Sequence, residues 1–197
     1  MMKKIILLSL TFFSVLALSA QDRWYQYGFK VGTNFPINRE YSYEGDYLSG
    51  LRNAEFDAFF RAGKYVFGEV GFGYTFFKGE YDLPKTDTSY IYSDEKVVTH
   101  HLRIPVKVVG NVPISRSVTF LPHVGVIYQP LVKVKDNNIN FSKKNLTTQV
   151  VLFTTGFDFK FGPILLGVNY RYSFQRFFQN KDGKHPQYIS ICAGLQL

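Results

Sequence analysis

Four histidines, one cysteine and a scatter of carboxylates are the side chains of this 197-residue chain that could do chemistry. His100 and His101 are adjacent, so on an extended strand they project to opposite faces and cannot share a metal ion. His123 falls inside a candidate strand and His185 in the last connection, which leaves no set with metal-ligand spacing. Acyl-transfer chemistry would need a serine or histidine activated by polar neighbours. No serine stands two residues from His100, and the stretch HHLR lacks a His-x-Ser arrangement. The chain therefore reads as non-enzymatic, with no cofactor and no metal. Cys192 is the single cysteine, so it cannot form an intrachain disulfide and reads as a small packing residue.

The charged residues point to structure instead of catalysis. Glu55 and Asp57 recur on one face of a candidate strand, where they suit lysines and arginines on neighbouring strands. Counting from the strand ends puts Lys30, Asp57, Glu69 and Arg103 near mid-height on one parity, with Arg171 on the same face. The expected pairs are Glu69 with Arg103 and Lys30 with Asp57. A buried pair adds little net stability, yet removing one partner strands the other.

The elements that must hold these residues are strands. Period-two alternation predicts eight of them, roughly Tyr25 to Phe35, Ala54 to Gly63, Tyr65 to Lys78, Val97 to Val109, Ser117 to Gln129, Gln149 to Lys160, Ile164 to Phe174 and Gln187 to Leu197. Most have the length that a tilted strand needs to cross a bilayer. Connections alternate between short (at "GK", "GNVPIS" and "FGP") and long, the rhythm of short periplasmic turns and long outer loops. The fold class expected is an all-β, eight-stranded antiparallel up-and-down transmembrane β-barrel with both termini in the periplasm. Pro105 removes one ladder donor from the fourth strand and is expected to cause a bulge or bend there.

Which face meets lipid follows from comparing the two. In ILLGVNYRYSF, residues 164–174, one parity is greasy throughout, and the same holds in every other strand, from Phe29 and Val31 to Ile191 and Leu197. Aliphatic residues sit mid-strand and aromatic residues crowd the ends, as in the interfacial girdles of a membrane barrel. The opposite parity carries Gly28, Gly32, Gly71, Gly73, Gly125, Gly156, Gly167 and Gly194 among polar residues. Glycine weakens a solvated strand face, but inside a narrow barrel it makes room for long side chains. The greasy face is therefore assigned to lipid.

The first residues, MMKKIILLSLTFFSVLALSA, read as a secretory signal peptide, residues 1–20, cleaved after Ala20 to leave a barrel domain over residues 21–197. No cysteine follows that site, which argues against a lipid anchor. Losing Lys3 and Lys4 lowers the formal net charge from +8 to +6, a modest excess on an exported chain that implies no nucleic-acid partner. The long connections are rich in tyrosine, and one carries a basic set, Lys133, Lys135, Lys143 and Lys144. These lysines suit solvent or the phosphates of lipopolysaccharide.

HLRIPVKVVG (101–110), followed by FLPHVGVIYQPLV (120–132), resembles the PorT-like outer-membrane β-barrel family of Bacteroidetes, which shares an L-x-I-P strand, a short turn and a strand with proline and glycine. The resemblance implies a small non-enzymatic barrel in the outer membrane of a Gram-negative bacterium, monomeric by default. Its partners would be outer-membrane lipids and lipopolysaccharide, through a structural or surface-interaction role. A second reading is an accessory component of an envelope secretion complex of type IX kind, docking envelope or secretion proteins. A third is a soluble lipocalin-like barrel holding an apolar ligand. That last reading would leave Lys30, Glu69, Arg103 and Arg171 in water with no need to pair.

Overall fold

Eight long strands carry the fold: β1 (Tyr25–Pro36), β2 (Asp46–Gly63), β3 (Val66–Asp82), β4 (Glu95–Gly110), β5 (Val118–Val134), β6 (Gln149–Phe161), β7 (Ile164–Ser173) and β8 (Gln187–Gln196). The computed structural model describes residues 24–37, 41–43, 46–82, 95–135, 143, 146–176 and 185–197. The segment 1–20, read above as a signal peptide, lies outside the described residues. Short strands Tyr41–Tyr43 and Val112–Pro113 pair with β2 and β5. Each long strand pairs antiparallel with the next, and β8 returns to pair with β1 from Gly28↔Gln196 to Pro36↔Tyr188. Tyr27 and Leu197 complete that seam with reciprocal backbone bonds of 3.2 and 2.7 Å. The result is a closed eight-stranded antiparallel barrel with no free edge, one of two ways a backbone can satisfy itself in lipid.

Connections alternate as the sequence suggests. Residues 64–65, 111–117 and 162–163 turn at one end, and residues 37–45, 83–94, 135–148 and 174–186 connect at the other. The short turns use glycine where the backbone needs positive φ, at Gly63 (145°) and Gly162 (56°).

Three expectations are corrected. Strands β2 to β5 run to 16–18 residues, past the apolar alternation, because ladder pairs such as Tyr47↔Asp82 and Glu80↔Lys96 continue beyond the 9–11 residues that a bilayer requires. Pro105 causes no register shift: the β3–β4 ladder skips it and resumes in the same register, Val70↔Val106 and Gly73↔Arg103. Gly71 opens the space for the proline ring, whose Cγ would lie 2.8 Å from an added Cβ. Register shifts occur instead in β2, between Ser49 and Arg52, and in β5, where Val132 is the extra residue between the pairs His100↔Lys133 and His101↔Leu131. Leu197, finally, is buried at the seam and does not face outward.

The two faces separate by chemistry. Outward residues Val31, Phe72, Val108, Leu166 and Ile191 are each about half exposed. Trp24, Tyr65 and Phe161 are exposed at the short-turn end, and Phe35, Phe76 and Phe174 at the long-connection end. Among the outward strand residues whose side chains the structure describes there is no aspartate or glutamate. Such a wall is costly in water and suits hydrocarbon.

Leu166→Arg, on the outer wall of β7, is expected to lower folding stability in liposomes by about 2–4 kcal/mol if it lies near the midplane. Reversible denaturant titration of the reconstituted protein measures this, and a variant as stable as the parent would reverse the face assignment.

Candidate functional site

The inward residues form three layers. Phe59, Phe67, Val109, Leu121 and Leu165 pack together at the short-turn end, while Phe77, Val97, Ile127, Leu131, Leu146, Leu152 and Tyr188 pack at the other. Between them lie, among the described residues, nine buried charged side chains, four carboxylates (Glu55, Asp57, Glu69, Asp158) and five cations (Lys30, Arg61, Arg103, Lys107, Arg171). Near balance of charge is what a low-dielectric interior tolerates. The sequence assigns the inner face to small and polar residues and does not show these two apolar clusters.

Glu55 organises the charges nearer the long connections. Its carboxylate accepts two bonds from Arg171, 2.5 Å from Nη1 and 2.8 Å from Nη2, and others from Asn34 Nδ2 at 2.9 Å and Ser190 Oγ at 3.1 Å. Arg103 bonds the same carboxylate and stands 3.3 Å from Asp57. Nearer the short turns, Asp158 accepts from Lys30 Nζ at 2.5 Å and from Arg61 Nη2 at 3.1 Å. Glu69 pairs with Arg61 Nε at 2.5 Å and with Lys107 Nζ at 3.0 Å. Arg61 also donates to Gln196 at 2.9 Å and lies over the Phe59 ring, 4.6 Å from its centroid.

All five predicted lumenal residues, Lys30, Asp57, Glu69, Arg103 and Arg171, thus face the interior, but the partners differ from those expected. Glu69 pairs with Arg61 and Lys107 instead of Arg103, and Lys30 with Asp158 instead of Asp57. Register explains the exchange. Gly73 is the ladder partner of both Asp57 and Arg103, so the side chains on β2 and β4 meet across a β3 position that has none. Gly156 likewise stands between His123 and Asn169, whose side chains join at 2.6 Å. With Asp57 engaged, Lys30 extends over Gly194, where an added Cβ would lie 2.9 Å from its Cγ. Arg61, Lys107 and Asp158 were missed, although parity would have found them: Arg61 is four residues past Asp57, Lys107 four past Arg103, and Asp158 two past Gly156.

The remaining candidates lie elsewhere. Lys133 and Lys135 belong to β5 or its end and are exposed, as is Lys143; Lys144 lies outside the described residues. His101 and His123 face inward and His100 outward, where the Tyr74 hydroxyl bonds its Nδ1. Cys192 is buried, and no metal-binding group of His, Cys, Asp or Glu occurs among the described residues. A cavity of about 30 Å³ beneath Leu146 and Thr147 holds water at most. An apolar-ligand carrier of lipocalin type needs the opposite arrangement, an apolar pocket of about 300–1,000 Å³ inside a wettable wall.

No protein-family model and no curated protein matches the chain. Among solved structures, it is similar to Ail, the attachment invasion locus protein of Yersinia pestis, in complex with the heparin analogue sucrose octasulfate. The TM-score is 0.47 and the identity 12%, over 89% of this chain and 100% of that one. It is also similar to the translocator domain of autotransporter NalP from Neisseria meningitidis (TM-score 0.46, 10% identity, 98% and 96% covered). Neisserial surface protein A matches with a TM-score of 0.45 at 10% identity, over 89% and 97%.

Two outcomes follow from the lumen. Glu55→Ala leaves Arg103 and Arg171 without their shared carboxylate and is expected to destabilise the barrel by about 3–5 kcal/mol; Arg171→Met in that background recovers part of the loss, whereas Glu69→Ala and Arg103→Ala, which share no bond, are additive within about 0.5 kcal/mol. Gly73→Ala drives a methyl between Asp57 and Arg103 and costs about 1–3 kcal/mol, while Gly68→Ala, outward with open space around it, costs little. Unfolding titrations of the reconstituted variants read all of these; coupling between Glu69 and Arg103, or equal costs at Gly73 and Gly68, would refute the arrangement.

Proposed function

We propose that this chain is a small non-enzymatic outer-membrane β-barrel with a plugged lumen, which presents its long connections at the cell surface in a structural or surface-interaction role. One observation carries this reading: among the described side chains the outer wall is apolar except for a few basic residues at its long-connection end, while four carboxylates and five cations are buried inside. A chain that sorts its charges inward and its aliphatics outward is built for hydrocarbon. The signal-like first 20 residues support export. Short turns at one end and long connections at the other support an orientation with both termini in the periplasm.

The plug follows from width. Eight strands enclose only enough room for side chains, and here two apolar layers close off the charged one, which leaves no continuous water path through the described residues. Surface contacts then fall to the connections and to the rim where the wall meets lipid headgroups, with outer-membrane lipids and lipopolysaccharide as the immediate partners.

The test is biochemical. The folded protein should require detergent, should migrate differently on a denaturing gel before and after boiling, and should give no large steady currents in planar bilayers. A chain that stays monodisperse without detergent contradicts the membrane barrel, and steady single-channel currents contradict the plug.

A further inference from the structure

Among the outward strand residues whose side chains the structure describes, the basic ones are Lys78, His100 and Lys133; Lys135 follows just past the end of β5, and all four lie at the long-connection end of three adjacent strands. The outward residues of β6, β7, β8 and β1 include none. Register makes the cluster explicit. His100 on β4 is the ladder partner of Lys133 on β5 and, on its other side, of Phe76. One row higher, Val98 lies between Lys78 and Lys135, the last donating its backbone N–H to the Val98 carbonyl at 2.8 Å. Directly opposed side chains stand about 5 Å apart and diagonal ones about 7–8 Å, so the four cationic or basic groups share one compact patch.

The bulge at Val132 creates this patch. Up to Leu131, odd residues of β5 face the lumen; one extra residue reverses the parity, so that Val134 packs against the inner apolar layer while Lys133 and Lys135 turn outward. Without it both lysines would point into the barrel. The Tyr74 hydroxyl holds His100 through Nδ1 and leaves Nε2 for another partner. Below the patch the wall turns apolar at Leu102 and then at Phe72, Ile104 and Tyr128. A basic cluster directly above a hydrocarbon-facing wall, in which Glu80, two residues past Lys78, is the ladder partner of Lys96, has the chemistry of a lipid headgroup site.

We infer that the Lys78, His100, Lys133 and Lys135 cluster on the outer wall binds the phosphate group of a phosphorylated glycolipid in the leaflet facing the long connections. Lysine ammoniums on flexible stems adapt to a phosphate as point charges, and the acyl chains lie along the apolar wall beneath. This inference rests on the membrane-barrel reading above and specifies one lipid site for it.

The test uses the full chain, reconstituted in phosphatidylcholine nanodiscs doped with bisphosphorylated lipid A, with the glycolipid retained per barrel measured by mass spectrometry. Substituting Lys78→Gln, Lys133→Gln and Lys135→Gln together is expected to lower retention about tenfold or more, whereas Lys64→Gln, at the short-turn end, leaves it unchanged. The gel shift on boiling verifies folding, and should the triple variant lose it, the Lys133→Gln and Lys135→Gln pair gives the same reading. Equal retention by the folded variant overturns the site, as does equal retention of dephosphorylated lipid A by the parent. Displacement by inorganic phosphate at matched ionic strength would assign the cluster to soluble phosphates and overturn the glycolipid. A chain that does not embed in nanodiscs refutes the barrel reading, whereas an embedded barrel that retains no lipid A refutes this inference alone.

Discussion

Lys30 on the first strand reaches Asp158 on the sixth, and Glu55 on the second binds Arg171 on the seventh. A barrel wall is made of nearest-neighbour ladders, so contacts of this kind are what tie non-adjacent strands together through the lumen. They form only where side chains can pass over the intervening strands, and a lumen enclosed by eight strands has little spare volume for that. Glycine supplies it. Gly73 lies between Asp57 and Arg103, and Gly156 between His123 and Asn169, so the placement of residues with no side chain decides which charges meet.

From that constraint the rest of the molecule follows. Charges gathered inside leave the outer wall free to be apolar, which is what hydrocarbon requires. Charges so gathered must be paired, because an unpartnered ion in that interior is costly. The apolar clusters around Phe67 and Phe77 pack at the two ends of the charged layer. Among the described side chains the separation breaks at the long-connection end, where the bulge at Val132 turns Lys133 and Lys135 outward near Lys78 and His100.

Much of this was legible in the sequence. Strict alternation in residues 164–174 places Leu166 outward and Arg171 inward, and both stand there in the structure. The strand ends were not legible, because hydrogen-bond ladders continue through polar residues such as Glu80 and Lys96 that alternation does not mark. Partner choice was not legible either: parity assigns a residue to a face, but Lys30 bypasses its register neighbour Asp57 because Arg103 already reaches that carboxylate over Gly73. A missing donor points to a bulge at Pro105, yet Gly71 absorbs the proline ring without a shift. Val132 carries no local signal; its extra place in the ladder depends on what β4 presents opposite.

The central claim is that the apolar parity faces lipid around the whole barrel. Nitroxide labels introduced one at a time at Ile104, Val106 and Val108, in a Cys192→Ser background reconstituted in liposomes, test it most directly through collision rates with oxygen and with a water-soluble nickel chelate. The account predicts high oxygen and low nickel collision at all three, against a label at Arg116 in the short turn that meets nickel freely. Nickel collision at Ile104, Val106 and Val108 as high as at Arg116 would place that wall in water and contradict the account.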